Sequence, residues 1–195
     1  MSSYFTGDWF ADNYIMTTIL NNIDFYCGGD RVRMMTKNKR KAVPKSVGGS
    51  MLYGLTWRSR NSDTKTKKLD EETGLFITKI KEEEPELEKI FREFAFYYFH
   101  NFKWSQVQIN KNYDCPPHRD SQNIGESVLC CFGDFEGGET VIEYPTKTAT
   151  VNAIYEPIKF DGSKYIHYVK PFKGTRYSLV FFENYDLEKR KKKNK

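Results

Sequence analysis

The sequence predicts an α+β fold, with a partly helical N-terminal region leading into a sandwich or barrel of short strands. Two observations carry that prediction. From Trp104 onward, runs rich in β-branched and aromatic residues alternate with turns containing Gly and Pro. Ahead of them lies one segment with acidic residues at its start and aromatics along its length, as expected of a helix covering a sheet. The 195 residues suffice for one domain with a sizeable core, and no internal repeat is evident. The expected organisation is a single domain over 1–187, with a helical and basic region (1–103), a strand-rich core (104–187) and a basic tail (188–195).

Taken in order, residues 8–26 read as an apolar, partly helical opening. Residues 27–68 form a basic region broken by Gly28-Gly29 and Gly48-Gly49. A helix is expected from near Pro85 to about Phe102. Proline suits a first helical turn, and Glu84, Glu86 and Glu88 favour the positive end of the helix dipole. The expected strands are Ser105–Ile109, Ser127–Phe132, Glu139–Tyr144, Val151–Tyr155, Tyr165–Val169 and Tyr177–Phe182.

The candidate site begins at Pro116-Pro117-His118-Arg119-Asp120. Residues i and i+2 of an extended chain project to the same side, so His118 and Asp120 can reach one metal ion. The two prolines favour extended backbone and exclude a helix. A second histidine, His167, lies in a strand-like run of Tyr, Ile and Val. Two imidazoles and one carboxylate occupy one face of an octahedral iron(II) and leave positions open for a co-substrate and dioxygen. Arg176 and Ser178 follow on a strong strand candidate. Facing one way, they suit a bidentate grip on a carboxylate. A zinc hydrolase with the same ligands would give Arg176 no obvious task. His100, amid aromatics, reads as packed or capping, and Cys115 as packed rather than as a ligand. Asn110 and Tyr113 lie on the approach to His118, where contact with a co-substrate and simple packing are equally open.

The run from Asn112 to Val128, Asn-Tyr-Asp-Cys-Pro-Pro-His-Arg-Asp-Ser-Gln-Asn-Ile-Gly-Glu-Ser-Val, resembles the proximal metal motif of Fe(II)/2-oxoglutarate-dependent dioxygenases. Phe132 to Thr140 resembles their Gly-Gly-Glu segment. Within that superfamily the chain is most similar to the TET/JBP-type base hydroxylases, in which a Phe-Asp-Gly segment precedes the distal histidine and Gly-x-Arg-Tyr-Ser-Leu-Val follows it. Here these are Phe160-Asp161-Gly162 and the segment from Gly174 to Val180. The match spans about Trp104 to Asn184. It implies a double-stranded β-helix, or jelly roll, flanked by N-terminal helices. It also implies Fe(II) held by His118, Asp120 and His167, 2-oxoglutarate held by Arg176 and Ser178, and dioxygen as second co-substrate. The implied reaction is hydroxylation of a C–H group, a methyl on 5-methylcytosine or thymine in nucleic acid. A protein side-chain hydroxylase and an inactive nucleic-acid-binding jelly roll are the alternatives.

Charge bears on the partner. The tail from Glu188 to Lys195 holds six basic residues and one acid, leaving a body with 25 of each sign. Within the body, residues 31–68 carry twelve Lys/Arg against one acid, Asp63. Arg31, Arg33, Lys37, Lys39, Arg40 and Lys41 are candidate contacts to a polyanion, equally readable as a solvated loop. DNA is expected ahead of RNA, and Tyr53, Trp57 and Trp104 are candidate base-stacking residues. No apolar run has the length of a membrane span, and the N-terminal residues lack an export pattern. The four cysteines form no Cys-x-x-Cys pair, and adjacent Cys130 and Cys131 on a strand would face opposite ways. They read as reduced thiols of a nuclear or cytoplasmic protein.

Overall fold

The computed structural model describes residues 3–26, 48–56, 68–185 and 187–189. Nine strands and three helices follow in the order α1 (Trp9–Asn21), β1 (Gly49–Thr56), β2 (Phe76–Ile77), α2 (Lys79–Glu83), α3 (Leu87–Phe99), β3 (Gln106–Lys111), β4 (Ser127–Gly137), β5 (Thr140–Glu143), β6 (Thr148–Val151), β7 (Ile158–Phe160), β8 (Ile166–Val169) and β9 (Phe172–Phe182) among the described residues. Six strands make a major sheet in the order β2-β1-β3-β9-β4-β7, and three make a minor sheet in the order β6-β5-β8. All pairings within them are antiparallel. This is the jelly-roll arrangement, two facing sheets with helices on the outside of one.

Side-chain alternation divides the major sheet between two tasks. One face carries Met51, Tyr53, Val107, Ile109, Cys130, Phe132, Tyr177, Leu179 and Phe181, all buried in one cluster with residues of α1 and α3. Helix α3 buries Leu87, Ile90, Phe91, Phe94, Ala95 and Phe99, the three- and four-residue spacing of an amphipathic stripe. Phe94 lies edge-on to Phe132 at 5.7 Å, and Phe91 to Phe181 at 5.9 Å. The other face looks toward the minor sheet. Leu129 and Cys131 of β4 join Ile142 of β5 and Phe160 of β7 in a second, smaller cluster. Cys130 and Cys131 therefore do point to opposite faces, and both are free thiols.

Several elements differ from their sequence-based expectation. The helix expected from Pro85 to Phe102 is α3, a few residues shorter at each end, and a separate short helix, α2, precedes the proline. Proline disfavours helical backbone at the preceding residue, and Glu84 takes φ −125°, ψ 65° and ends α2. Helix α3 starts at Leu87 and stops at Phe99, with His100 exposed at its C-cap, the capping alternative of the two expected for it. Gly48-Gly49 is not a break, since Gly49 opens β1, where a Cβ would stand 2.8 Å from that of Phe25. The strand expected at Val151–Tyr155 lies earlier, because β6 ends at Val151, opposite Thr140. The chain then turns, and Ile154 N donates to Asn152 Oδ1 at 3.3 Å. Strands β4 and β9 both run to eleven residues, longer than expected.

That long pairing depends on Gly133, which sits at φ +106° opposite Arg176. A Cβ there would fall 2.2 Å from the carbonyl oxygen of Thr175. Gly133→Ala is therefore expected to destabilise the fold by at least ~1–3 kcal/mol, from the disfavoured backbone alone. Urea denaturation of the purified variant measures it, and an unchanged midpoint would contradict this placement. Among the described residues, no helix is long and apolar enough to cross a membrane.

Candidate metal and co-substrate site

His118 does not belong to a continuous strand. It forms an isolated antiparallel bridge with His167 on β8, with His118 N to His167 O at 3.1 Å and His167 N to His118 O at 3.0 Å. The prolines before it leave the local chain extended but unable to donate from their nitrogens, so one bridge replaces a ladder. Two residues on, Asp120 N donates to Gly162 O at 2.9 Å. These two anchors bring the sides of His118 and Asp120 onto the end of β8.

The ligand atoms of His118, Asp120 and His167 lie within 4.8 Å of one another. His118 Nε2 is 3.5 Å from Asp120 Oδ1, and His167 Nε2 is 3.6 Å from Asp120 Oδ2. The outer ring nitrogens have backbone acceptors: His118 Nδ1 is 2.9 Å from Pro116 O, and His167 Nδ1 is 3.1 Å from Tyr165 O. Those acceptors place a proton on each Nδ1 and turn both Nε2 atoms toward the carboxylate, the orientation in which imidazoles ligate a metal. Asn123 Nδ2 reaches Asp120 Oδ2 at 3.4 Å. Gly162 packs over the group, where a Cβ would stand 3.2 Å from both Asp120 Oδ2 and His167 Cε1. Cys115 Sγ is 3.4 Å from His118 Nδ1, beside the group and outside it.

The electrostatics of the three groups follow from this geometry. Burial opposes a charged His118, but its hydrogen bonds to Asp120 and Cys115 outweigh that and push its pKa up to about 10. Burial likewise opposes ionised Asp120, yet the two imidazoles hold its carboxyl far below the usual carboxylate range. A metal must therefore displace a proton from His118. Apparent Mn(II) affinity is expected to climb by up to ~tenfold per pH unit while pH stays below the His118 value. Titrations at three pH values, with proton release followed in two buffers, check this; pH-independent affinity would contradict it.

Arg176 and Ser178 lie on the inner face of β9, 2% and 4% exposed. The Arg176 guanidinium carbon sits 5.6 Å from the Phe135 ring centroid and 5.7 Å from that of Phe172. Its Nη2 donates to Cys131 Sγ at 3.1 Å, whereas its buried Nε has no hydrogen-bond partner. Gly138 leaves room for its stem, since a Cβ there would come within 2.9 Å of Arg176 Cδ. A buried cation with an unsatisfied N–H is costly alone and suits an anion. Thr140 Oγ1, on the facing sheet, is also buried without a partner. Cys131 connects the two halves of the site: it contacts Arg176, and it shares a cluster with Ile142, whose register partner is His167.

Ser178 belongs to a polar row across four paired strands, Ser50, Asn110, Ser178 and Cys131. Ser50 Oγ donates to Asn110 Oδ1 at 2.7 Å, and Asn110 Nδ2 donates to Ser178 Oγ at 3.1 Å. Accepting from Asn110 leaves the Ser178 hydroxyl proton free to donate elsewhere. Asn110 thus faces the interior beside Ser178, and Tyr113 is buried. Cys131, Phe135, Gly162 and Phe172 were not selected by sequence reasoning, and Asn110 was left open between co-substrate contact and packing. Only strand register places Asn110 opposite Ser178 or Cys131 near Arg176.

Two of the expected stacking aromatics are structural. Tyr53 is fully buried against Phe91, and Trp104 packs on Phe181 with Arg92 over its ring. Arg31, Arg33, Lys37, Lys39, Arg40, Lys41 and Trp57 lie outside the described residues, as does the tail from 190 to 195.

The chain has a double-stranded β-helix fold, and that fold gathers His118, Asp120 and His167 into a group that could hold a metal ion. The solved structure of NgTET1 in complex with 5mC DNA superposes at a TM-score of 0.51, with 16% identity over 89% of this chain and 68% of that one. A 2OG-Fe(II) oxygenase family oxidoreductase from Burkholderia pseudomallei matches 69% of this chain and 66% of its own at 17% identity, TM-score 0.43. A Pseudomonas putida prolyl-4-hydroxylase matches 94% and 90% at 10% identity, TM-score 0.44. No protein-family model matches the chain, and no curated protein matches its sequence.

Proposed function

We propose that this protein is an Fe(II)- and 2-oxoglutarate-dependent dioxygenase that hydroxylates a methyl group of a nucleic-acid base such as 5-methylcytosine or thymine. The observation that carries the oxygenase reading is a three-residue ligand group in the same interior as a buried arginine whose Nε has no partner. His118, Asp120 and His167 would hold the iron through two Nε2 atoms and a carboxylate. Arg176 and Ser178 would hold the far carboxylate of 2-oxoglutarate, the arginine by charge and the serine by its free hydroxyl proton. When bound, iron and 2-oxoglutarate supply, with dioxygen, the oxidising equivalent that turns C–H into C–OH and releases succinate and carbon dioxide.

The chain's own residues do the rest. Backbone acceptors at Pro116 and Tyr165 fix both imidazole tautomers, and Asn123 steadies the carboxylate. The rings of Phe135 and Phe172 flank the guanidinium and favour its charge there. Support for a nucleic-acid substrate comes from the fold shared with NgTET1, whose structure contains 5mC DNA, and from the excess of positive charge over residues 31–68.

The test is succinate formation by the anaerobically Fe(II)-loaded protein, with and without oligonucleotides containing 5-methylcytosine or thymine, followed by nucleoside mass spectrometry. Stimulated turnover with a hydroxymethylated base supports the whole reading. Turnover indifferent to nucleic acid keeps the oxygenase and moves the substrate to protein. Nucleic-acid binding by iron-loaded protein without any turnover points instead to a recognition module.

A further inference from the structure

We infer that Asn112 is a positioning residue for Arg176, which it holds by both main-chain groups. The inference rests on the co-substrate role proposed for Arg176. Asn112 is the one non-glycine with positive φ (50°) among the described residues. Left-handed backbone is disfavoured for side chains other than the short polar ones, of which asparagine is the most tolerant. It stands one residue beyond the last β3–β9 pair, Lys111 with Tyr177.

In that conformation it meets Arg176 twice. Asn112 N donates to Arg176 O at 2.8 Å, and Arg176 N donates to Asn112 Oδ1 at 2.9 Å. A ladder would have supplied both bonds from backbone; here a carboxamide replaces the missing carbonyl. The substitution matters because Arg176 lies opposite Gly133, which takes φ +106° in the partner strand β4. The backbone is irregular on both sides of the arginine, so its direction is not set by sheet geometry alone. Beyond the backbone, Cys131, Phe135 and Phe172 confine the guanidinium. Asn112 also precedes His118 by only six residues in the chain. One segment thereby fixes the arginine at one end and the first metal ligand at the other.

Two substitutions separate the hydrogen bond from the backbone. Asn112→Gly accepts left-handed φ freely but removes the acceptor. Asn112→Asp keeps an acceptor oxygen and tolerates the same backbone. The probe is 2-oxoglutarate titrated calorimetrically into the Mn(II)-loaded full chain, with Mn(II) affinity measured beside it. N112G is expected to bind 2-oxoglutarate about tenfold more weakly, the scale of one lost hydrogen bond. Its Mn(II) affinity should be unchanged, and N112D should stay within about twofold of wild type on the same scale. In turnover, KM for 2-oxoglutarate should rise in N112G more than kcat falls.

Wild-type 2-oxoglutarate affinity in N112G overturns the inference, as does a parallel loss of Mn(II) affinity. If the glycine variant fails to fold, N112D decides alone: a folded aspartate variant that binds tenfold more weakly overturns it, and one that binds like wild type supports it. A Mn(II)-loaded wild type that binds no 2-oxoglutarate removes the oxygenase reading and this inference with it. A wild type that binds, paired with an unaffected N112G, removes this inference only.

Discussion

Replacing Asp120 with alanine is expected to abolish metal binding at the site, and turnover with it, while the jelly roll stays folded. Asp120 is the one residue that reaches both histidines, through Oδ1 at 3.5 Å and Oδ2 at 3.6 Å. Without it two imidazole rings remain, their centroids 4.2 Å apart, with no negative charge to offset a dication. Removing a group that merely orients a ligand already costs ~10- to 100-fold in metal affinity, so losing a ligand should exceed that. The fold should survive because the core contributes little here. Asp120 is partly exposed and stands outside both hydrophobic clusters, and its main-chain N–H to Gly162 O is unaffected by the substitution. Mn(II) titration and succinate assay give the first two results, and circular dichroism the third. Turnover at wild-type rate in Asp120→Ala would remove the proposed ligand assignment.

Arg176→Leu is expected to weaken 2-oxoglutarate binding by ~100-fold or more, with metal affinity retained. Truncating one partner of a buried, hydrogen-bonded charge pair costs ~2–5 kcal/mol, and 2.8 kcal/mol is about two powers of ten. The surroundings make leucine tolerable. Phe135, Phe172 and Cys131 form an apolar pocket once the cation is gone, and the unsatisfied Nε disappears. The metal-loaded variant should thus be no less stable without co-substrate than wild type, and could gain from losing a buried unpaired charge. Arg176→Lys should also bind poorly, because an ammonium has neither the planar fork nor the flat face that the two phenylalanines cover. Calorimetric titration of 2-oxoglutarate into the Mn(II)-loaded variants measures both effects. Equal affinity in wild type and Arg176→Leu would separate Arg176 from the co-substrate.

The two expected effects fall on residues that the sequence already singled out, for a physical reason. A metal ligand or a carboxylate clamp must be a particular residue type, and i, i+2 spacing on extended chain is visible without any fold. His118, Asp120, His167 and Arg176 were legible on those grounds. Asn112 was not, and Asn110 stood only as an open candidate, because a carboxamide is common in loops and carries no charge to signal its task. Their importance lies in cross-strand partners, Ser178 for one and Arg176 for the other. Tyr53 and Trp104 erred the other way. Aromatic type suggests stacking on a base, but only packing reveals that Tyr53 meets Phe91, and Trp104 meets Phe181, in perpendicular contacts within the protein.

By itself, then, the sequence pointed to the class of fold, the strand-rich second half and the three residues that the fold gathers into a candidate metal group, since each depends on local composition and short spacing. Tertiary structure decided the rest. It set a short helix, α2, ahead of Pro85, opened β1 at Gly49 and extended β4 and β9 well past their apolar cores. It also divided the major sheet into a face that packs on helices and a face that holds the polar row and Arg176. Strand register makes that division: residues as far apart as Gln106 and Phe182 become neighbours through backbone pairing, and no local pattern encodes which pairs will meet.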